Sequence, residues 1–368
     1  MKFVCSKSNL LSGLQIVSKA VPNKTTMSIL ECILVDATKN SIKLTANDME
    51  LGIETVIEGE VIEKGIIALE AKMFLDIIRK LPDSDITIET DGNYKTLIKC
   101  EKAKFTIIGK SGEDFSYLPV VEKSNQVLIS QFTLKELIRQ TIFSISDNEN
   151  NKLMTGELFD INENELKVVS LDGHRISIRK IELKDRYASA RLVIPGKTLN
   201  EISKIIPGDA DKDVTISYTN NHVLFEYDNT LVVSRLIEGE YFRVEQMLSS
   251  DYETKVKINK REFLDCIDRA TLLVKEGDKK PIIINITDGN IELKIKSTLG
   301  SMNEEIDVEK QGKDLMIGFN PKFLIDALRV IDDEEVELYM VNSKAPCFIK
   351  NEEETYVYLI LPVNFTTV

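Results

Sequence analysis

The residues best suited to chemistry lie in one short segment, residues 171–176 (LDGHRI). Asp172 and His174 place a carboxylate and an imidazole two residues apart, and such a pair could serve in acid–base catalysis. No nucleophile or third partner is indicated, and Asp-Gly is a turn signal between alternating strands. The segment therefore leaves two interpretations open, an enzyme that uses Asp172 and His174, and a plain hairpin turn.

Two other segments resemble the end of a phosphate-binding loop, residues 109–111 (GKS) and 196–198 (GKT). Such a loop needs a glycine five residues before the glycine that precedes the lysine. Lys104 and Arg191 stand at those positions. The sequence therefore supports no nucleotide site, and we expect no cofactor.

The cysteines and histidines are too scattered to predict a metal site. The five cysteines form no CxxC pair, and His174 and His222 lie 48 residues apart with no cysteine near either. A structural zinc ion takes four closely spaced ligands. We therefore expect no metal, and we expect five reduced and mostly packed thiols.

The chain has 368 residues and a net charge of −13, with 43% hydrophobic and 29% charged residues. This composition is typical of a soluble folded protein of two or three domains. The longest apolar run, residues 356–363, is far shorter than the ~20 residues that span a bilayer, and the first residues do not form a signal-peptide core. We expect a cytoplasmic protein with no membrane partner, and the net charge argues against a protein that wraps nucleic acid.

Residues that mark predicted helices and strands recur at an interval of about 124 along the chain. Phe74, Leu199 and Phe323 occupy one helix pattern and lie 125 and 124 residues apart. Strand residues Ile42, Leu166 and Ile291 lie 124 and 125 apart. A period this long indicates whole domains rather than a solenoid.

The pattern of each copy predicts two amphipathic helices together with a set of short antiparallel strands, which makes an α+β fold of three tandem domains. The predicted domains are residues 1–121, 126–248 and 252–368, with linkers at 122–126 and 249–254. Three similar domains suggest pseudo-symmetry and assembly into a ring. The predicted helix windows are 6–21, 71–82, 130–145, 196–208, 259–274 and 320–331.

The charge divides by structural class. The six helix windows together carry +7, so the rest of the chain carries −20. Ordinary amphipathic helices with basic residues on their solvent-exposed faces would give this result. Six helices on one surface that faces a polyanion would give it too, and weak distributed positive charge suits sequence-independent contact.

Several motifs together resemble the β subunit of bacterial DNA polymerase III, the sliding-clamp family, over essentially the whole chain. They are residues 1–3 (MKF), 171–175 (LDGHR), 317–320 (IGFN) and 361–363 (LPV), together with the threefold plan. The resemblance implies a head-to-tail homodimer that closes into a ring, with helices lining the channel and sheets outside. It implies a clamp on double-stranded DNA that tethers the polymerase, is opened by an ATP-driven clamp loader, and has no catalytic activity.

The resemblance also implies a groove between the second and third domains for peptides of the polymerase α subunit, the clamp loader and other proteins with clamp-binding motifs. Phe242, Asn364 and the extra residues 366–368 depart from the common family pattern. The implied groove residues are Met154, Leu171, Gly173, His174, Arg175, Ile176, Phe242, Met247, Asn320, Phe323, Pro346, Leu359, Ile360, Leu361, Pro362, Val363 and Asn364.

Two further sets of residues follow from the same resemblance. The implied DNA-facing residues are Lys24, Lys72, Asn148, Lys152, Leu153 and Lys197. The implied dimer interface sets Phe105 and Ile107 of the first domain against Leu272, Leu273 and Glu304 of the third, with Lys102 and Lys104 opposite Glu304 and Glu305. A generic oligomeric scaffold without a DNA role is the remaining alternative, and it predicts that replacing Lys24, Lys72 and Lys197 leaves replication unchanged.

Overall fold

The computed structural model describes residues 1–248, 251–274 and 280–365. Each third of the described chain contains two α-helices and a series of antiparallel strands, as the repeat predicts. The first third contains β1 (Lys2–Ser6), α1 (Lys7–Val17), β2 (Cys32–Asp36), β3 (Ile42–Asn47), β4 (Leu51–Ile57), β5 (Glu60–Glu63), β6 (Ile66–Glu70), α2 (Ala71–Lys80), β7 (Asp85–Thr90), β8 (Lys95–Cys100), β9 (Ala103–Ile108) and β10 (Lys110–Ser111).

The middle third has two unusually long strands. It contains β11 (Gln126–Ser130), α3 (Gln131–Thr141), β12 (Gly156–Leu171), β13 (Arg175–Pro195), α4 (Gly196–Ile205), β14 (Asp213–Tyr218), β15 (His222–Tyr227) and β16 (Thr230–Arg235).

The last third repeats the plan of the first. It contains β17 (Thr254–Asn259), α5 (Lys260–Thr271), β18 (Ile282–Thr287), β19 (Asn290–Lys296), β20 (Ser301–Asp307), β21 (Glu309–Gly312), β22 (Leu315–Phe319), α6 (Pro321–Val330), β23 (Glu335–Met340), β24 (Cys347–Lys350) and β25 (Tyr356–Ile360).

The helices begin where the sequence supplies capping groups. The Ser6 hydroxyl accepts a hydrogen bond from the Asn9 amide at 3.2 Å, and the Asn259 side chain accepts one from Glu262 at 3.1 Å. These bonds satisfy amides of the first helical turn that have no partner within the helix. Proline follows the Asn320 cap of α6, a position that suits its fixed φ. Each of the six predicted helix windows thus contains a helix.

The described backbone forms two compact units, residues 1–135 with 200–236, and residues 136–199 with 237–368. The strands of the middle third are divided between them. The predicted domain bounds stay a prediction, and positions 249 and 250 of the second linker lie outside the described residues.

The first unit contains two antiparallel sheets, with strand orders β5-β1-β7-β8-β9 and β10-β6-β2-β3-β4-β16-β15-β14-β11. Helix α1 buries Leu10, Leu14 and Val17 against the second sheet, whereas Leu11 is only half-buried. Gly13 allows this close packing, because a Cβ there would lie 2.5 Å from the Ile57 side chain.

The second unit contains the other two sheets, with orders β12-β13-β25-β24-β23-β17-β21 and β20-β19-β18-β22. One apolar cluster of this unit packs α5 and α6 against these sheets, around Phe263, Phe319 and Leu328. A second cluster lies around Leu171, Ile176 and Leu359, where β12, β13 and β25 adjoin. This second cluster is the base of the candidate site.

Candidate functional site: a peptide groove in the second unit

The LDGHRI segment forms the tight turn between β12 and β13. Gly173 has a φ of +86°, in the region that favours glycine. The Asp172 carboxylate accepts hydrogen bonds from the backbone amides of His174 and Arg175, at 2.9 and 3.1 Å. Its other oxygen accepts from the Arg175 Nε at 3.0 Å. Asp172 therefore stabilises the turn, which is the hairpin interpretation of the sequence rather than the catalytic one.

Arg175 is buried and joins this turn to α6. Its Nη1 donates to the Asp326 carboxylate at 2.7 Å, and its Nη2 donates to the Phe143 carbonyl. The guanidinium carbon lies 4.6 Å from the centroid of the Phe323 ring and 5.4 Å from that of Phe143. A buried guanidinium needs such compensation, because removal from water is costly for a charge. Asp326 and Phe143 were not among the predicted site residues, although Asp326 lies one helical turn from Phe323.

The imidazole of His174 lies at the surface of the same turn. The side chain is exposed, and its ring centroid is 6.0 Å from that of Phe323. His174 and Phe323 thus form an aromatic edge beside the turn. This arrangement suits contact with an apolar ligand.

The segment after β25 continues along this edge. Ile176 is opposite Leu359 in the ladder between β13 and β25, and the Leu361 amide donates to the His174 carbonyl at 2.9 Å. The Val363 amide donates to the Gly318 carbonyl at 2.8 Å. β25 ends at Ile360, two residues before Pro362, which cannot donate a ladder hydrogen bond. Leu361 is 38% exposed, so the end of the chain presents an apolar side chain to solvent.

The predicted groove residues differ in their exposure to solvent. Leu171, Ile176 and Leu359 are buried in the apolar cluster, and Met154 and Phe242 pack against it. Met247 is 49% exposed. Pro346, Pro362 and Val363 are half-buried, and Asn364 is exposed. A buried apolar base with exposed apolar residues at its rim is typical of a site for a short apolar peptide.

Two predicted groove residues have structural tasks. The Asn320 side chain caps α6 by accepting a hydrogen bond from the Lys322 amide at 3.1 Å. Ile360 is 1% exposed and belongs to the cluster of α5 and α6 rather than to the cluster at the groove. Residues 366–368, the predicted extension, lie outside the described residues.

The predicted DNA-facing lysines are exposed. In the first unit, Lys24 lies in the loop before β2, and Lys72 lies in the first turn of α2. In the second unit, Lys152 and Lys197 are exposed, the latter in the first turn of α4. Their exposure leaves these side chains accessible to a phosphate backbone.

The two uncharged residues of the DNA set differ from the lysines. Asn148 is exposed and its side-chain oxygen accepts a hydrogen bond from the Asn150 amide at 3.0 Å. Leu153 packs on the apolar cluster and against Gly239, where a Cβ would lie 3.2 Å from a Leu153 methyl. Leu153 thus contributes to packing, and its contact with DNA stays a prediction.

The predicted interface residues lie on or beside edge strands. Phe105 and Ile107 are on β9, the edge of the five-stranded sheet, where Phe105 is 40% exposed. Glu304 is on β20, the edge of the four-stranded sheet, and Leu272 follows α5 with 78% exposure. Leu273 is half-buried against the adjacent core. Glu304 accepts a hydrogen bond from Arg269 at 2.9 Å, which lowers its pKa, whereas Glu305 is exposed.

The cysteines are unpaired and buried. Burial raises the pKa of the Cys5, Cys266 and Cys347 thiols to about 12, which makes them poor nucleophiles. No group of three or more potential metal ligands comes together among the described residues. None of the helices in the described residues combines the length and the apolar character that a membrane span requires.

Two helices and a series of antiparallel strands, repeated in each third of the described chain, make up a fold of the DNA-clamp type. Family models for the N-terminal, central and C-terminal domains of the DNA polymerase III beta subunit match residues 1–119, 128–242 and 245–364. The chain belongs to this family, the beta sliding clamps, which are non-catalytic processivity factors.

Relatives and solved structures match over nearly the full length. The beta sliding clamps of Staphylococcus epidermidis and Staphylococcus aureus are 34% and 35% identical, with 99% of both chains covered. A DNA polymerase III beta subunit structure from Eubacterium rectale superposes with a TM-score of 0.97 at 73% identity, covering 99% of this chain and 100% of that one. The Bacillus subtilis DNA polymerase sliding clamp has a TM-score of 0.96 at 34% identity, with both chains fully covered.

Proposed function

We propose that two copies of this chain close head to tail into a ring around double-stranded DNA and hold the replicative polymerase on it. The observation that carries the proposal is the pair of edge strands, β9 and β20, each with exposed apolar residues on it or beside it. Pairing β9 of one copy with β20 of the next would remove two exposed edges per subunit. Repetition of the contact closes a ring of two subunits, each contributing domains 1–121, 126–248 and 252–368.

The DNA contact in this proposal is electrostatic and independent of sequence. Lys24, Lys72, Lys152 and Lys197 are exposed cations on or near the helical segments, and the chain as a whole is acidic. A few phosphate contacts with weak positive charge permit sliding. Because bacterial DNA is cytoplasmic, the proposed location is the cytoplasm.

The groove of the second unit would bind the polymerase α subunit, the clamp loader and other proteins with clamp-binding motifs. Support comes from the adjacent rings of His174 and Phe323 and from the exposure of Leu361 and of the predicted groove residue Met247. Short peptides with a few apolar anchors bind such surfaces, because the anchors supply most of the affinity. An ATP-driven loader would open the ring for entry of DNA.

Topology-dependent retention on DNA tests the ring. The chain is loaded by a clamp loader and ATP onto nicked circular DNA, and the circle is then linearised with a restriction enzyme. We expect retention on the circle and rapid loss from the linear form, because a ring slides off free ends. Equal loss from both forms would contradict the proposal.

The lysine contacts are tested in the same assay. The triple change of Lys24, Lys72 and Lys197 to Ala should weaken DNA binding. The slope of the logarithm of the binding constant against the logarithm of the salt concentration should become shallower by about 1 for each lost phosphate contact. Lys64→Ala, at an exposed position outside the predicted DNA set, is the matched control. Unchanged loading and replication by the triple variant would favour a scaffold without a DNA role.

A further inference from the structure

The first unit contains a second pocket, which the proposed function does not use. It has a volume of about 290 Å³, near the lower end of the ~300–1,000 Å³ that is usual for ligand pockets. The pocket adjoins the turn between β3 and β4 and the segment at residues 116–119. Its lining includes Met49, Glu50, Tyr117, Leu118, His222 and Arg235.

The turn beside this pocket repeats the backbone geometry of the LDGHRI turn. The Asp48 carboxylate accepts hydrogen bonds from the amides of Glu50 and Leu51, at 3.0 and 2.7 Å, as Asp172 does with His174 and Arg175. Met49 has a φ of +76°, close to the +86° of Gly173. A methionine in this region is strained, so the surrounding hydrogen bonds must hold the turn in place.

The strand beside the turn repeats the arrangement at the peptide groove as well. The Arg235 amide donates to the Glu50 carbonyl at 2.9 Å, as the Leu361 amide does to His174. Ser234 is opposite Leu51 in its ladder, as Ile360 is opposite Arg175. Arg235 thus holds the position that Leu361 holds at the groove.

The base of the pocket is apolar and its rim is exposed. Leu118 packs with Val121, Leu224 and Val233. It fits closely over Gly52, where a Cβ would lie 2.1 Å from a Leu118 methyl carbon. Met49 and Tyr117 at the rim are 57% and 63% exposed. The Asn47 side chain donates to the Ser116 carbonyl at 2.7 Å, which ties residues 116–119 to the turn.

The polar lining differs from that of the groove, because it combines one cation, Arg235, with one carboxylate, Glu50. Arg235 is exposed, and its guanidinium has no ion pair among residues 1–248, 251–274 and 280–365. His222 is directly opposite Arg235 on β15, so the two side chains lie on one face of the sheet. Burial lowers the pKa of His222, and the Arg235 charge lowers it further. Arg235 can therefore bind a carboxylate at the edge of the apolar base.

We propose that this pocket is a second peptide-docking site, for an extended segment in which a large apolar side chain precedes a carboxylate. The apolar side chain would lie over Leu118 and Val233, and the carboxylate would contact Arg235. The comparison of the two turns rests on the proposed peptide groove, but the cavity, its base and its charge are independent of it. With two sites on each chain, one clamp subunit could hold two partners at once, or one partner by two segments.

Methionine methyl NMR of the full-length chain separates the two sites, because Met49 lines this pocket and Met247 is a predicted residue of the groove. The probe is the peptide Ser-Leu-Leu-Glu-Ser, titrated into protein labelled at the methionine methyl carbons. We expect the Met49 signal to shift with saturation. The same peptide with Lys in place of Glu should bind this pocket about tenfold more weakly, because it loses the contact with Arg235.

Variants assign the effect to the pocket. Arg235→Glu should abolish the Met49 shift and leave any Met247 shift intact. Glu50→Gln should not weaken the Met49 shift. Shifts at Met247 alone would overturn this inference and leave the groove proposal standing. Shifts at Met49 alone would support this inference and would contradict binding of the peptide at the groove. No shift at Met49, or a Met49 signal that changes with protein concentration without peptide, would also overturn it, the latter because a second copy of the chain would then cover the pocket.

Discussion

The Nη1 of Arg175 and the Oδ2 of Asp326 lie 2.7 Å apart, and this ion pair links the turn between β12 and β13 to helix α6. The Arg175 side chain is only 7% exposed and that of Asp326 only 20%. The pair therefore fixes the two elements whose His174 and Phe323 rings form the edge of the groove. Its effect extends from stability to the shape of the binding site.

Asp326→Ala should destabilise the chain by about 2–4 kcal/mol, because Arg175 would keep its buried charge with one partner fewer. Urea unfolding measures the change. Asp76→Ala is the matched control, since Asp76 pairs with Arg79 at an exposed position and should cost less than about 1 kcal/mol. Equal effects of the two changes would mean that the Arg175 pair has no special importance.

Leu361→Ser should weaken binding of a clamp-binding peptide by about tenfold, since a partly exposed apolar anchor at the rim would be lost. The free energy of unfolding should change by less than about 1 kcal/mol, because the side chain is 38% exposed. Fluorescence anisotropy with a labelled peptide measures the affinity. Ile62→Ser, at a site 51% exposed and outside the groove, serves as the control. An unchanged affinity of Leu361→Ser would remove this residue from the site.

Phe105→Asp and Leu272→Asp should each convert the proposed dimer into a monomer of 41.7 kDa, because a charge would be buried at the joint. Light scattering coupled to size exclusion gives the mass. Both side chains are exposed in the single chain, so the variants should fold normally. A dimer that persists in both variants would refute the proposed pairing of β9 with β20.

Glu157 predicts a pH dependence of stability. The residue is fully buried, its two carboxylate oxygens have no hydrogen-bond partner among the described residues, and burial raises its pKa from 4.5 to about 8. Between these values the unfolded chain releases a proton that the folded chain retains. The free energy of unfolding should therefore fall as pH rises from about 4.5 to about 8, by up to about 1.4 kcal/mol per pH unit from this group.

Glu157→Gln should remove this contribution. The stability of the variant relative to the parent chain should therefore be higher at pH 8 than at pH 5. Urea unfolding at several pH values compares it with the parent chain and with Glu58→Gln, a change at an exposed position. Parallel pH profiles for all three proteins would show that Glu157 ionises at an ordinary pH.

Much of the plan could be predicted from the sequence. A landmark such as Phe74, with counterparts at Leu199 and Phe323, recurs at a nearly constant interval, and the helices occur where apolar spacing and capping residues predict them. These signals are local, because helix periodicity and caps depend on residues a few positions apart. The groove residues were predicted from a family resemblance, which short motifs such as residues 171–175 (LDGHR) carried.

Other features depend on contacts between residues far apart in the chain. Asp326 binds Arg175 across 151 positions, and the Arg235 amide donates to the Glu50 carbonyl across 185 positions. No local pattern marks such pairs, since strand register and side-chain burial arise only when sheets assemble. The sequence by itself determined the repeated helices and strands, the acidic net charge and the family. Tertiary structure alone decided that Arg175 pairs with Asp326, that Leu153 packs against Gly239 and that a second pocket adjoins Met49, because each of these depends on which residues from distant parts of the chain come together.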